Sequence, residues 1–278
     1  MEGLGCHTLY DASGIPFAAS VMFAGLQLAR RIEAAEAANA RACQEGQPGI
    51  AFLEIAGGVA VFAGSESPLT QVLGIGLNGP VPEAELDAIE AFYQCRGARV
   101  TFDFCPLANP GLLEALATRG YRPMEFNNVL VKSLEGFLPP ATPRVRRATD
   151  AEGDLWSRTV GQGFFEQADL TDEEMGVGRA VFAMPGSLCY LATTNTGEIA
   201  GGAAMAVRQG LAILFADGVT ARFRRQGLHG ELIAARLGDA VVENCDLATA
   251  TTFPGSQSQR NYTGAGFQVA YTKVTLAL

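Results

Sequence analysis

Lysine, histidine and closely spaced cysteines are scarce in this sequence, and each scarcity excludes a class of site. The 278 residues include two histidines, His7 and His229, and the only lysines are Lys132 and Lys273. No Gly-x-x-x-x-Gly-Lys-Ser/Thr segment is present, so a nucleoside-triphosphate P-loop is unsupported. The six cysteines show no Cys-x-x-Cys spacing. We therefore expect no metal site and no disulfide framework.

Positive charge is in the minority as well. Lys and Arg number 20 against 29 Asp and Glu, which gives a formal net charge of −9. Nucleic-acid binding needs an extended basic surface, so we expect no such partner. The apolar stretch at residues 15–26 is interrupted by Pro16 and Gly25 and is too short to cross a bilayer. These features, with cysteines that fit reduced thiols, predict a cytoplasmic protein without membrane contact.

The order of predicted elements repeats once along the chain. After Leu77 the pattern predicts a loop, a helix, a strand, a second helix and a final strand. The same order follows Val219, with loops of similar length. A proline cluster at residues 139–143 lies between the two halves. We place a domain boundary there, with domains at residues 1–138 and 139–278.

An arginine-rich turn separates a strand from a helix in the second half. Residues 211–216 form an apolar run of strand length, and apolar residues recur at helical spacing from Leu228 onward. Between them, residues 222–230 contain three arginines and two glycines. Glycine lets the backbone approach a ligand, and the first N–H groups of a helix have no internal partner. Together with the arginines, this turn predicts a phosphate-binding loop; a solvated basic loop that caps the helix is the alternative.

The turn resembles the pyrophosphate loop of the GCN5-related N-acetyltransferases (GNAT), whose pattern is Arg/Gln-x-x-Gly-x-Gly/Ala. Here the corresponding segment is Arg224-x-x-Gly227-x-His229-Gly230. His229 stands where the family usually has glycine or alanine. By the resemblance, its loop faces phosphates rather than the thioester.

The end of the chain extends the resemblance. Tyr262 lies four residues before Gly266-Phe267, the position of the family's general acid. Seven residues before Tyr262 the family has an asparagine, whereas this sequence has Gly255, so one side-chain contact to the pantetheine arm is missing. Ser258 keeps the small residue between these positions.

The resemblance implies an α/β (α+β) protein of two tandem GNAT-like domains, each a mixed, largely antiparallel twisted sheet flanked by helices. It implies that acetyl-CoA is the co-substrate and that a primary amine of a small molecule or peptide attacks the thioester directly. The first domain is degenerate, because its loop holds no arginine and Leu116 takes the place of Tyr262. We expect it to serve packing, substrate access or contacts in a possible homodimer.

The implied site residues fall into two groups. The catalytic group is Tyr262 as general acid, with Asp217 and Glu166 as alternative bases. Phe164 and Phe165 next to Glu166 suggest a partly aromatic acceptor pocket with one carboxylate for a cation. The residues implied to bind the cofactor are Val219, Arg224, Arg225, Gln226, Gly227, Leu228, His229, Gly230 and Ser258.

Two alternatives stay open. The missing asparagine at Gly255 also permits an acyl-CoA-binding sensor or interaction protein without turnover. Residues 74–79 form a literal Gly-x-Gly-x-x-Gly, and Asp103 follows 24 residues later, which is compatible with a dinucleotide-binding oxidoreductase. Pro80 and Pro82 interrupt the start of the following helix, however, and remove N–H donors that the dinucleotide loop needs.

Overall fold

The computed structural model describes residues 24–44 and 49–278, apart from the side chain of Gln44. The alanine-rich residues 21–44 predict a helix, which falls partly outside the described residues. His7 and most of the apolar stretch at residues 15–26 also lie outside them. The first half contains α1 (Leu26–Gln44), β1 (Ala51–Ile55), β2 (Gly58–Phe62), β3 (Gln71–Leu73), α2 (Glu83–Gln94), β4 (Thr101–Phe104), α3 (Pro110–Thr118) and β5 (Arg122–Ser133).

The second half has more elements before its turn. It contains β6 (Val145–Arg147), α4 (Gly153–Phe165), α5 (Asp172–Ala183), β7 (Ser187–Thr193), β8 (Ile199–Arg208), β9 (Leu211–Val219), α6 (Leu228–Val242), β10 (Leu247–Thr252), α7 (Gln257–Gly264) and β11 (Gln268–Ala277). The repeat predicted from the sequence is thus observed: loop, α2, β4, α3 and β5 correspond to loop, α6, β10, α7 and β11.

Local sequence accounts for where several helices begin. Thr171 and Glu174 form a capping box before α5, in which each side chain satisfies a backbone N–H of the other residue. Asn109 caps α3 by accepting a hydrogen bond from the Gly111 N–H at 3.0 Å, and Pro110 takes the first helical position. The apolar run at residues 71–77 predicts one strand, but β3 ends at Leu73, because Gly74 and Gly76 have φ of 72° and 75° and leave the extended conformation.

One sheet joins the two halves. Across the described residues its strand order is β1-β2-β3-β4-β11-β5-β10-β9-β8-β7-β6. β3 and β4 are parallel, as are β9 and β10, and the other neighbours are antiparallel. The last strand of each half therefore lies against the other half, with β11 between β4 and β5, and β5 between β11 and β10.

Helices cover both faces of the sheet. Leu211 and Ile213 of β9 pack in a core cluster with α1, whereas Ala212 and Leu214 pack in a second cluster with α6. Because successive side chains of a strand point to opposite faces, α1 and α6 lie on opposite sides of the sheet. Among the residues that the structure describes, no helix combines the length and the apolar character needed to cross a membrane.

Candidate active site

The site is built where two parallel strands separate. β9 and β10 are paired from Leu211 and Leu247 as far as Leu214 and Ala250. Beyond that point β9 continues to Val219 with β8 as its partner. Its register with β8 shifts near Ala216, which has φ of 54°. The last residues of β9 are therefore free of β10, and the two strands leave a gap on the side of α6 and α7.

The arginine-rich turn begins at the end of β9. A short 3-10 turn spans Ala221–Phe223, and Arg225 and Gly227 then have φ of 63° and 80°. α6 starts at Leu228, and the Glu231 N–H donates to the Gly227 carbonyl at 3.1 Å. The N–H groups before Glu231 have no carbonyl within the helix to bind, and the helix dipole adds positive charge there. This geometry is suited to an anion.

The three arginines of the turn have different surroundings. Arg224 binds Glu166 at 2.7 Å, the Gly163 carbonyl at 3.0 Å and the Val219 carbonyl at 3.2 Å, so it ties the turn to the end of α4. Arg222 pairs with Glu198. In the described part of the chain, Arg225 is exposed and has no acidic partner.

Arg144 adds a positive charge that sequence reasoning missed. It precedes β6 and donates to the Gln226 carbonyl at 3.0 Å while pairing with Glu231 of α6. No motif marks this residue, because it lies 82 positions before Gln226 in the chain. The turn thus contains Arg225 and is contacted from outside by Arg144.

Close packing fixes α4 against the end of β9. A Cβ at Gly163 would lie 2.7 Å from the backbone of Gly218 and Val219, so only glycine allows this approach. The two residues that follow Gly163 are exposed, at 63% for Phe164 and 40% for Phe165, and their rings meet edge to face at 5.2 Å. Two exposed aromatic side chains therefore lie next to Glu166 in sequence, and their part in an acceptor pocket stays a prediction.

A buried polar cluster fills the gap beside β9. Asp217 pairs with Arg236 of α6 at 2.5 Å (Oδ1 to Nη1), and its Oδ2 accepts from the Tyr262 hydroxyl. The same Oδ2 lies 3.2 Å from Nε2 of His229. Nδ1 of His229 lies 2.9 Å from the Asn261 side-chain nitrogen. We call these five residues the Asp217 cluster.

The side chains of this cluster shift one another's pKa values and so determine which of them are charged. Burial alone would raise the pKa of Asp217, but the Arg236 guanidinium and the hydrogen bonds from His229 and Tyr262 lower that pKa to about 2. Burial, with the nearby Asp217 charge, raises the pKa of Tyr262 well above its usual range, although Arg236 opposes the shift. At neutral pH the cluster therefore contains a carboxylate and a protonated tyrosine.

The structure thus brings some of the predicted residues together and separates others. Asp217, Tyr262 and His229 meet in one cluster, whereas Glu166 lies outside it with a side chain 65% exposed. Ser258 is half-buried on α7. Sequence reasoning missed Arg236 and Asn261. The signal for Arg236 was its position four residues after Leu232, on the apolar side of α6, where a charged residue needs a buried partner.

The corresponding place in the first half has no such cluster among the described residues. Gly76 donates to the Ala56 carbonyl at 3.4 Å and accepts from the Asn109 N–H at 2.8 Å, so this loop is bound within the protein. α2 begins only at Glu83, after the glycines, and not within them as in a dinucleotide loop. Leu116, at the position equivalent to Tyr262, is fully buried.

Comparison with known proteins identifies the fold. A search with protein-family models and a search of curated proteins give no match. Among solved structures, a GCN5-related N-acetyltransferase from Kribbella flavida has a TM-score of 0.67 at 19% identity, over 90% of this chain and 95% of that chain. A second one, from Sphaerobacter thermophilus, has a TM-score of 0.56 at 17% identity, over 90% and 93% of the chains.

A tandem GNAT protein from the clavulanic acid biosynthesis pathway is similar over a comparable length. Its TM-score is 0.59 at 14% identity, and the match covers 91% of this chain and 93% of that chain. The chain therefore has the fold of the GCN5-related N-acetyltransferases in the tandem form. This confirms the fold class predicted from the sequence.

Proposed function

We propose that the protein transfers an acetyl group from acetyl-CoA to a primary amine of a small molecule or peptide. The observation that carries this proposal is the position of the anion-binding turn. It lies next to the gap between β9 and β10, and the Asp217 cluster occupies that gap. The turn and the Asp217 cluster adjoin, because His229 belongs to both, and we assign phosphate binding to the turn and proton donation to the cluster.

The residues of the turn fit a pyrophosphate. The N–H groups from Arg225 to Gly230 include those at the start of α6 that have no helical acceptor, and Arg225 supplies positive charge nearby. The end of β9 at Val219 offers backbone groups to the pantetheine arm, and Ser258 lies on the neighbouring helix α7. Arg224 acts through its bonds to Glu166 and Gly163, which hold the turn in place.

Acetyl-CoA supplies the acetyl thioester, and the protein orients the reactants and moves protons. Tyr262 is the proposed general acid, because its hydroxyl carries a proton and lies in the gap beside β9. A carboxylate with a pKa near that of Asp217, about 2, is a weak base. We therefore assign Asp217 to holding Tyr262 in position. Glu166 lies beside the exposed Phe164 and Phe165, where a carboxylate suits the positive charge of an amine acceptor.

Binding without turnover is the second candidate. Gly255 offers no side chain at the position where the family has an asparagine, so one contact to the pantetheine arm is absent. A protein that binds acyl-CoA as a signal would keep the turn and would not depend on Tyr262.

Thermal unfolding with acetyl-CoA, and with NADH as the alternative ligand, tests the proposed site. Acetyl-CoA at a hundred times its Kd should stabilise the protein by about 2.7 kcal/mol. Arg225→Gln should weaken this effect, whereas Arg222→Gln, in the same turn but paired with Glu198, is the matched control. Stabilisation by NADH alone would contradict the proposal.

Turnover separates the two candidates. Release of free CoA from acetyl-CoA is measured with a panel of primary amines that includes diamines and a lysine peptide. An acetyltransferase should release CoA with at least one amine and lose most of this activity in Tyr262→Phe. A binding protein should be stabilised by acetyl-CoA equally in both forms and release no CoA.

A further inference from the structure

A single carboxylate oxygen connects Tyr262 with His229. Oδ2 of Asp217 accepts the Tyr262 hydroxyl and also lies 3.2 Å from Nε2 of His229, while Oδ1 is held by Arg236. The side chains of His229 and Asp217 are 16% and 11% exposed, so the pair lies just below the surface. The charged and titratable groups that face the imidazole here are Asp217, Tyr262 and Arg236.

These partners fix the tautomer of neutral His229. A carboxylate can only accept, so the hydrogen is on Nε2. Nδ1 then carries a lone pair, which accepts from the Asn261 side-chain nitrogen at 2.9 Å. That bond joins two neutral groups, which makes it the weaker of the two bonds to the ring. An imidazole with one nitrogen held by a carboxylate and a lone pair on the other has the arrangement of a general base.

We propose that His229 is the general base of the acetyl transfer, with Asp217 as its positioning partner. The inference rests on the proposed function. It differs from the expectation drawn from sequence, because His229 was expected to face phosphates, whereas its ring points from the turn to β9 and α7. The glycine or alanine usual at this position in the family carries no such group.

Every bond and proton of the proposed acetyl transfer can be accounted for. The amine nitrogen forms a bond to the acyl carbon, and its proton passes to Nδ1 of His229 in place of the Asn261 hydrogen bond. The bond between the acyl carbon and sulfur breaks, and Tyr262 gives its proton to the sulfur. The Nε2 proton of His229 then moves across Oδ2 of Asp217 to the Tyr262 oxygen in one concerted transfer, so that Asp217 stays a carboxylate before and after the step.

Burial makes the last transfer favourable. Since the pKa of Tyr262 is held well above its usual range, a phenolate at this position takes the proton from an imidazolium readily. The histidine regains its Nε2–H tautomer by proton exchange with solvent, which reaches its 16% exposed side chain.

Kinetics of His229→Gln test the proposal with acetyl-CoA and an amine that reacts in the panel. The variant should lower kcat by about 10²–10⁴-fold. The KM for acetyl-CoA should change little. The acidic limb of the pH profile of kcat/KM should disappear in His229→Gln, and added imidazole should restore part of the rate in His229→Ala. Asn261→Ala keeps the base and should keep the acidic limb.

Nitrogen NMR of the histidine rings gives a readout independent of activity. The chain has two histidines, so His7→Gln assigns both sets of signals. The Nε2–H tautomer is expected for neutral His229, with a change to the Nδ1–H form in Asp217→Asn. A folded His229→Gln variant that keeps wild-type kcat and pH profile would overturn the proposal, as would an Nδ1–H tautomer in the wild type. If the wild-type protein releases no CoA with any amine of the panel, the proposed function is refuted, and this inference with it.

Discussion

Arg236 lies fully buried on α6 and neutralises Asp217. Besides this ion pair, it donates to the Leu232 carbonyl at 2.9 Å and to the Ala204 carbonyl at 3.0 Å. Removal of one partner of a buried pair leaves the other charge without compensation, which costs about 3–5 kcal/mol. We expect Arg236→Met to lower the free energy of unfolding by this amount in urea denaturation.

The exposed pair of Arg179 and Asp154 provides the control for Arg236. Their nitrogen and oxygen lie 2.7 Å apart, but the side chains are 51% and 72% exposed. Arg179→Met should therefore lower the free energy of unfolding far less than Arg236→Met does. The double variant Arg236→Met with Asp217→Leu should recover part of the loss, since no unpaired charge remains. A cost for Arg236→Met equal to that of Arg179→Met would contradict the assigned role of the pair.

The residue types and their local spacing were enough to predict part of the candidate site, but not the contacts between its side chains. The turn could be predicted, because strand, arginines, glycines and helix follow one another within about twenty residues. The link between Asp217 and Tyr262 joins positions 45 residues apart, and no local pattern encodes such a distance. Arg224 could be recognised as part of the turn, but its contact with Glu166 depends on how α4 packs against β9.

At the scale of elements, α1 is attached to the sheet by a second buried group of charges. Lys273 of β11 is 1% exposed and pairs with Glu33 and Glu36 of α1 and with Asp103 of β4. The Tyr271 hydroxyl donates to Glu33 at 2.7 Å. Three carboxylates face one ammonium, so one of them is favoured in its neutral form.

Glu33 should make the stability of this packing depend on pH. Burial raises its pKa from 4.5 to about 7; Glu36 and Asp103 add to the rise, and Lys273 opposes it. The folded state then holds a proton that the unfolded state releases, so this contribution is complete below pH 4.5 and is lost as pH rises through 7. The unfolding free energy should fall with a slope of at most about 1.4 kcal/mol per pH unit in that window.

Chemical denaturation between pH 4.5 and 8 measures this slope. Glu33→Gln should remove it, and Glu114→Gln is the same substitution on an exposed helical glutamate. The quantity to follow is the difference in unfolding free energy between wild type and variant, because other carboxylates titrate in the same range. A difference that does not change with pH would show that Glu33 is ionised in the folded protein throughout.

The order of elements was largely predictable, because the periodicity of apolar residues and the caps are local. The sequence predicts helices over residues 83–95 and 110–119, and α2 and α3 lie within two residues of these bounds. The pairing of strands across the halves was not predictable. The sequences of β5 and β11 do not show which neighbouring strand each of them binds.

At the scale of the whole molecule, the two halves are joined because the last strand of each half pairs with strands of the other half. We propose that residues 1–138 and 139–278 are the two repeats of the architecture, and that they share one sheet. Val269 and Tyr271 of β11 pair with Leu130 and Val129 of β5. On the other side of β5, Leu130 also pairs with Ala250 of β10. A fragment limited to the second half would lack every strand neighbour of β11 and one of the two neighbours of β10.

We therefore expect the fragment of residues 139–278 to lack a cooperative thermal transition by circular dichroism, although it contains the turn and the Asp217 cluster. Unpaired strand edges and uncovered core residues such as Ala248 of β10, which is fully buried in the intact protein, oppose its folding. Production of both fragments in the same cells should yield a complex that melts cooperatively and is stabilised by acetyl-CoA, because β5 and β11 can then pair. Cooperative unfolding of the fragment alone would mean that the second half is independent of the shared sheet.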